Sequence, residues 1–229
     1  MGSTSPGRPH PSDGEGLNWD EKYRIRNRIW GDEPSELAAI AVEYLQGRGL
    51  DPDSASVVDL GCGYGRDVEY VRRRLGCRAL GIDSSLTAIE MARETAGDGG
   101  GVDYVCCDFG ETSDVRHDAV LASNLYHLLG AEDRKRLSRA VYDLLKPGGT
   151  LFLSALSERD PHHFGEGGDR AQSSGGANRP DVTVSTEAEL RQVFDLLEIS
   201  DLYEHEYREP HAAGKEHHHI SWVLVAERP

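Results

Sequence analysis

The chain is short of cations. Its 229 residues carry 25 Lys and Arg against 40 Asp and Glu, a formal net charge of -15. Such a balance disfavours phosphate backbones, whose affinity comes mainly from basic side chains, and anionic membrane surfaces. There is no apolar run of about 20 residues able to span a bilayer. The first 20 residues are polar and rich in Gly, Ser and Pro, unlike a secretory leader. Cysteine is scarce too. Cys62, Cys77, Cys106 and Cys107 form no C-x-x-C pair, so the expectation is a reduced, cytoplasmic protein whose thiols are small buried hydrophobes. Apolar residues make up 38%, lean but enough for a core at this length. With nucleic acid and membrane disfavoured, a small-molecule partner is expected.

Residues 1–16 have little to bury and read as a disordered tail. The rest, 17–229, reads as one domain. Its first part, 17–48, holds Trp19, Tyr23 and Trp30 among charges, then a helix whose Leu37, Ile40, Ala41, Tyr44 and Leu45 share a face behind a Ser35 cap. From residue 55 strands alternate with helices. ASVVDL, CRALGID, GVDYVCCDF, HDAVLASN and TLFLSAL are strands. GRDVEYVRRRLG, SLTAIEMARETAG and the segment closed by Pro147–Gly148 are helices. This rhythm means βαβ units and a parallel sheet. It breaks at 157–181, an aperiodic stretch of the kind that forms an active-site loop. A helix capped by Ser185 or Thr186 follows, and two terminal strands joined near 210–216 should pair antiparallel.

The segment VVDLGCGYGRD, 57–67, ends an apolar strand on Asp59 and then places glycines at 61, 63 and 65. A dinucleotide loop needs G-x-G-x-x-G, and Arg66 stands where its last glycine belongs. No Lys-Ser or Lys-Thr follows, so it is not a phosphate-binding P-loop. Asp83 ends the next strand, where a carboxylate can accept both hydroxyls of a ribose. Asp108 ends the third, where it can take an exocyclic amine while Phe109 packs on a purine face. Three acids at three strand ends, with no basic phosphate clamp, describe a nucleoside without phosphate.

These segments, with DAVLASNLYHLL and LKPGGTLFLSAL, resemble the consecutive motifs of class I S-adenosylmethionine-dependent methyltransferases. The outer segments loosely resemble the tellurite-resistance and thiopurine-type small-molecule branch. The resemblance implies a Rossmann-like α/β fold: a seven-stranded, mostly parallel sheet in the order 3-2-1-4-5-7-6, strand 7 antiparallel, helices on both faces. It implies S-adenosylmethionine as cofactor, its amino-acid part cradled by Asp59, Gly61, Gly63 and Gly65, its ribose on Asp83 beside Ser84, its adenine on Asp108 and Phe109, with Asn124 at the methyl donor. It implies methyl transfer to O, S or N of a small molecule. A cyclase or lyase that keeps the cofactor without methylating is the alternative. Asn124 is not followed by Pro-Pro-Tyr or Pro-Pro-Trp, which argues against nucleic-acid methylation.

Other residues join by chemistry. Trp19, Tyr23 and Trp30 can close over the cofactor, since a sulfonium is attracted to aromatic faces; plain packing is the alternative. Arg24, Arg26 or Arg28 can pair with a carboxylate or simply meet solvent. Tyr126 and His127 follow the fourth strand, and His127, His162 and His163 are candidate proton acceptors. Tyr126, His127, His163, His217 and His219 are candidate acceptor contacts. His217 and His219 share a strand face, yet two ligands make an incomplete zinc site, so no metal is expected. A monomer or homodimer fits.

Overall fold

The computed structural model describes residues 18–96, 100–111, 115–161, 182–210 and 216–229, without the side chains of 208–210 and 216–218. The expected tail and most of the 157–181 loop, with His162 and His163, lie outside it, as do the side chains of His217 and His218.

Seven strands form one sheet in the order β3-β2-β1-β4-β5-β7-β6. They are β1 (Ser56–Leu60), β2 (Arg78–Asp83), β3 (Val102–Cys106), β4 (His117–Ala122), β5 (Leu145–Leu156), β6 (Glu198–Pro210) and β7 (Glu216–Glu227). The first five pair in parallel. β7 runs antiparallel to both β5 and β6. The expected order and the reversed seventh strand are both present.

The core explains why these runs are continuous rather than alternating. Val57, Ala119, Leu121 and Phe152 face one side with Leu37, Ala41 and Leu45 of α2 (Glu36–Gly47) and Val71 and Leu75 of α3 (Arg66–Leu75). Val58, Leu60, Val120, Ala122, Leu151 and Leu153 face the other with Leu137 and Val141 of α5 (Ala131–Leu144) and Leu190 of α6 (Glu187–Val193). Successive residues thus bury on opposite faces, and both faces are covered by helices.

Several expectations shift. A helix, α1 (Trp19–Arg26), precedes the expected first one, with a complete capping box between Asn18 and Glu21. α4 (Leu86–Ala96) begins at Ser85, whose hydroxyl accepts from the Ala88 N–H at 3.1 Å. α5 stops at Leu144, and β5 starts before Pro147 with a single pair, His117–Leu145, ahead of a register shift. α6 is capped by Thr186, while Ser185 is fully buried. Only Cys62 and Cys77 are buried; Cys106 is exposed and Cys107 half-buried. β3 is an edge strand, and Asp103, Val105 and Cys106 on it are exposed.

Candidate active site

A cavity of about 680 Å³ opens at the carboxyl ends of β1, β2 and β4. This is where ligands bind in open α/β sheets, and the volume suits a small molecule. Asp59, Gly61 and Gly63 line it from the glycine loop, Asp83 and Ser84 from the end of β2, Asp108 and Phe109 from beyond β3, and Asn124 from beyond β4. Trp19, Tyr23 and Trp30 line it from the N-terminal segment. Eleven of the twelve residues expected to hold the cofactor therefore surround one space. The exception is Gly65.

Gly65 has φ +81°, and a Cβ there would lie 2.4 Å from the Tyr104 hydroxyl. Its missing side chain makes room for a β3 tyrosine beneath the loop. Gly63 has φ +54°, and its Cβ would meet the Tyr23 hydroxyl at 2.7 Å. That glycine lets the N-terminal helix press on the loop. Both conformations strain any residue with a side chain.

The carboxylates differ in partners. Asp83 accepts from the Gly63 N–H and the Ser85 N–H, each at 2.8 Å. Burial pushes its carboxyl up and these two donors pull it back. Asp59 is 4% exposed, and its Oδ1 has no hydrogen-bond partner. Burial, then the charges of Asp67 and Asp83, hold its carboxyl well above the usual carboxylate range. An acid in this state is poised to receive a cationic group, which would restore its ionised form. Asp108 Oδ1 accepts from the Gly110 N–H and from Arg136, both at 2.8 Å. Basic groups thus do reach the cavity: Arg66 and Arg136 both line it.

The loop also clasps the segment above it. The Tyr64 hydroxyl accepts from the Trp30 N–H at 3.0 Å and donates to the Gly31 carbonyl at 2.7 Å. Arg66 donates to the Trp30 and Glu33 carbonyls. Asp67, 4% exposed, accepts from the Ser35 N–H at 2.7 Å and its hydroxyl at 2.6 Å. Asp20 of α1 accepts from the Ser85 hydroxyl and the Thr87 N–H, bonds that hold its carboxyl below the usual range. Arg66 is therefore a clasp residue where a dinucleotide fold would have glycine. Nothing in the sequence pattern marks Tyr64, Arg66 and Asp67 for this part except their position within and directly after the loop.

Asn124 is left-handed at φ +54°, held through its N–H to Ser154 Oγ at 3.0 Å. A non-glycine residue in this conformation at a strand end is characteristic of functional sites. Tyr126 is instead fully buried, with its hydroxyl on Glu189 at 3.1 Å and the Arg134 guanidinium 4.4 Å from its ring centre. It does not line the cavity; nor does His127, though Leu128 and Leu129 do. The His127 carbonyl accepts from the Thr183 N–H at 2.9 Å. His219 lies with Nδ1 3.0 Å from Asp160 Oδ2 and stacks on Tyr207. Asp160 is fully buried just past β5 and also accepts from the Ile220 N–H. Among the described residues no cluster has the make-up of a metal site, and no helix is long and apolar enough to cross a membrane.

Residues 57–149 match the family described as "Methyltransferase domain". The chain is 35% identical over 131 residues to a carboxy-S-adenosyl-L-methionine synthase of Shewanella woodyi, covering 55% of this chain and 51% of that protein. It is 34% identical over 154 residues to a ubiquinone biosynthesis O-methyltransferase of Xanthomonas axonopodis pv. citri, covering 63% and 62%. It thus spans about half to three fifths of these relatives. A structure described as "Conversion of a Disulfide Bond into a Thioacetal Group during Echinomycin Biosynthesis" superposes with a TM-score of 0.70 at 24% identity, over 92% of this chain and 90% of that one. The strand order, the acid-lined glycine loop and these likenesses agree: residues 57–149 are similar to the methyltransferase-domain family, and the sheet has the fold of its solved neighbours.

Proposed function

We propose that this protein transfers the methyl group of S-adenosylmethionine to an O, S or N atom of a small-molecule acceptor. The observation that carries the reading is the buried Asp59 Oδ1, without a partner at the wall of a cavity that also presents Asp83 and Asp108. The residues fit the cofactor's parts. Asp59 would meet its ammonium, Asp83 its ribose hydroxyls, and Asp108 with Phe109 its adenine. Trp19, Tyr23 and Trp30 present aromatic faces, which attract a sulfonium. When bound, the cofactor supplies a methyl already activated by that sulfonium.

The protein's own task is then to align the acceptor and exclude water. The N-terminal segment, clasped by Tyr64, Arg66 and Asp67, covers one side of the cavity. Asn124 and Ser123 form the floor beside β4. His127, past the carboxyl end of β4, His162 and His163, later in the chain than β5, and His217 and His219, in the amino-terminal part of β7, are the candidates for acceptor contact or proton acceptance. The acidic surface favours a neutral or cationic acceptor over a polyanion.

Calorimetric titration with S-adenosylmethionine and S-adenosylhomocysteine tests the cofactor. Binding of both is expected, and Asp83→Ala should weaken it by tenfold or more, about 1.4 kcal/mol. No heat with either ligand would end the proposal. Methyl-labelled donor with a panel of phenol, thiol and amine acceptors tests the reaction. The likeness to carboxy-S-adenosyl-L-methionine synthases favours a second reading, in which the cofactor itself is altered. Mass spectrometry of the recovered nucleoside separates the two, because only the second leaves the labelled methyl on a heavier sulfonium.

A further inference from the structure

We infer that Arg136 sets the nucleobase preference of the cavity by pinning the Asp108 carboxylate; the inference rests on the cofactor reading above. Arg136 belongs to α5, yet its Nη2 reaches across to Asp108 Oδ1 at 2.8 Å while Nη1 holds Asp133 at 2.7 Å. The Gly110 N–H donates to the same Asp108 oxygen at 2.8 Å. Oδ1 thus carries two donors from two different elements. The carboxylate plane is fixed, and Oδ2 is the oxygen with acceptor capacity to spare.

The short turn at Phe109–Glu111 is built around this pair. A Cβ at Gly110 would lie 2.7 Å from Arg136 Nη2 and 3.0 Å from Asp108 Oδ1. Any side chain there would push the guanidinium off. The same guanidinium sits over the Phe109 ring, 5.5 Å from its centre. One arginine therefore orients both groups that a purine would meet.

The chemistry follows from what a carboxylate can do. It only accepts hydrogen bonds. Adenine presents an amine at position 6, which donates. Hypoxanthine presents a carbonyl there, which accepts and would face the carboxylate oxygen. A site built to accept from an amine rejects an analogue that lacks it, because its polar group is left unpaired. The rejection is sharp only while the carboxylate is held in place. A free carboxylate turns and loses part of its discrimination. Arg136 is half exposed, so its effect on affinity is modest and its effect on preference is the informative quantity.

The test is calorimetry of the full chain with S-adenosylhomocysteine and S-inosylhomocysteine. The wild type should prefer the adenosyl ligand. Arg136→Ala should narrow that preference by roughly fivefold, the upper end for a half-exposed ion pair. Arg136→Lys, which keeps charge but not the fork, should fall between. Gly110→Ala should reproduce Arg136→Ala without touching the arginine. An Arg136→Ala protein that binds S-adenosylhomocysteine with the wild-type preference, or more tightly, overturns the inference. A wild type that binds neither ligand overturns the cofactor reading, and the inference with it.

Discussion

At the scale of the residue, Asp59 is the most consequential side chain. Its carboxyl is raised in the folded protein, so the folded state holds this proton more tightly than the unfolded chain does. The sign follows: its contribution to stability is full below the ordinary carboxylate range and is lost as pH rises above it. At neutral pH ionised Asp59 opposes folding. Asp59→Asn should therefore raise the melting temperature near pH 7 and weaken S-adenosylhomocysteine binding in the same protein. A variant that melts lower at pH 7 would contradict this. The acid was legible in the sequence from its place before the glycines. Its raised carboxyl was not, because that depends on burial and on Asp67 and Asp83, brought close by the fold. Gly65 teaches the same lesson. Its conservation of space answers to Tyr104, 39 residues on. Gly65→Ala should cost about 1–3 kcal/mol from backbone strain alone, read as a lower melting temperature, and Tyr104→Ala in that background should restore part of it.

At the scale of the element, the clasp joins the glycine loop and the start of α3 to the segment ahead of α2. Its two charged members differ in burial. Arg66, its side chain 17% exposed, ends on the Trp30 and Glu33 carbonyls near solvent, whereas Asp67 is buried with two short bonds to Ser35. Removing Asp67 leaves the Ser35 hydroxyl and N–H without their partner, at about 1–3 kcal/mol. Asp67→Ala should lower stability measurably; Arg66→Ala should leave it nearly unchanged. Both should speed amide exchange across residues 28–35. Equal protection in Arg66→Ala and the wild type would show that the guanidinium does not hold the segment. The strands and long helices were legible because period and length agree for them. The α1 helix leaves little trace in the sequence: it is eight residues, mostly charged, and its marker is Asn18 three residues before Glu21. Pro147 and Gly148 look like the stop of α5, yet pairing of Leu145 with His117 ends the helix sooner.

At the scale of the whole molecule, the alternation of strands and helices gave a parallel sheet, while the sheet order came only from the family resemblance that the motifs carry. The identity of the acceptor did not come with it. The candidate acceptor contacts fall in aperiodic segments or on terminal strand ends, where one sequence says least. The net charge of -15 is a property of the whole surface. Like charges oppose the compact state, and added salt screens them. Raising NaCl from about 0.05 to 0.5 M should raise the melting temperature. A falling value would show that local ion pairs such as Arg136–Asp133 outweigh the general repulsion.

The clasp also has a meaning in time. A cavity walled on one side by a tethered segment exchanges its contents only as fast as that segment lets go. Loosening the tether at Arg66 should speed both entry and departure of S-adenosylhomocysteine, leaving affinity almost constant. Loosening the grip at Asp83 should speed departure alone. Stopped-flow traces would thus tell a door from a handhold where equilibrium titration sees one quantity.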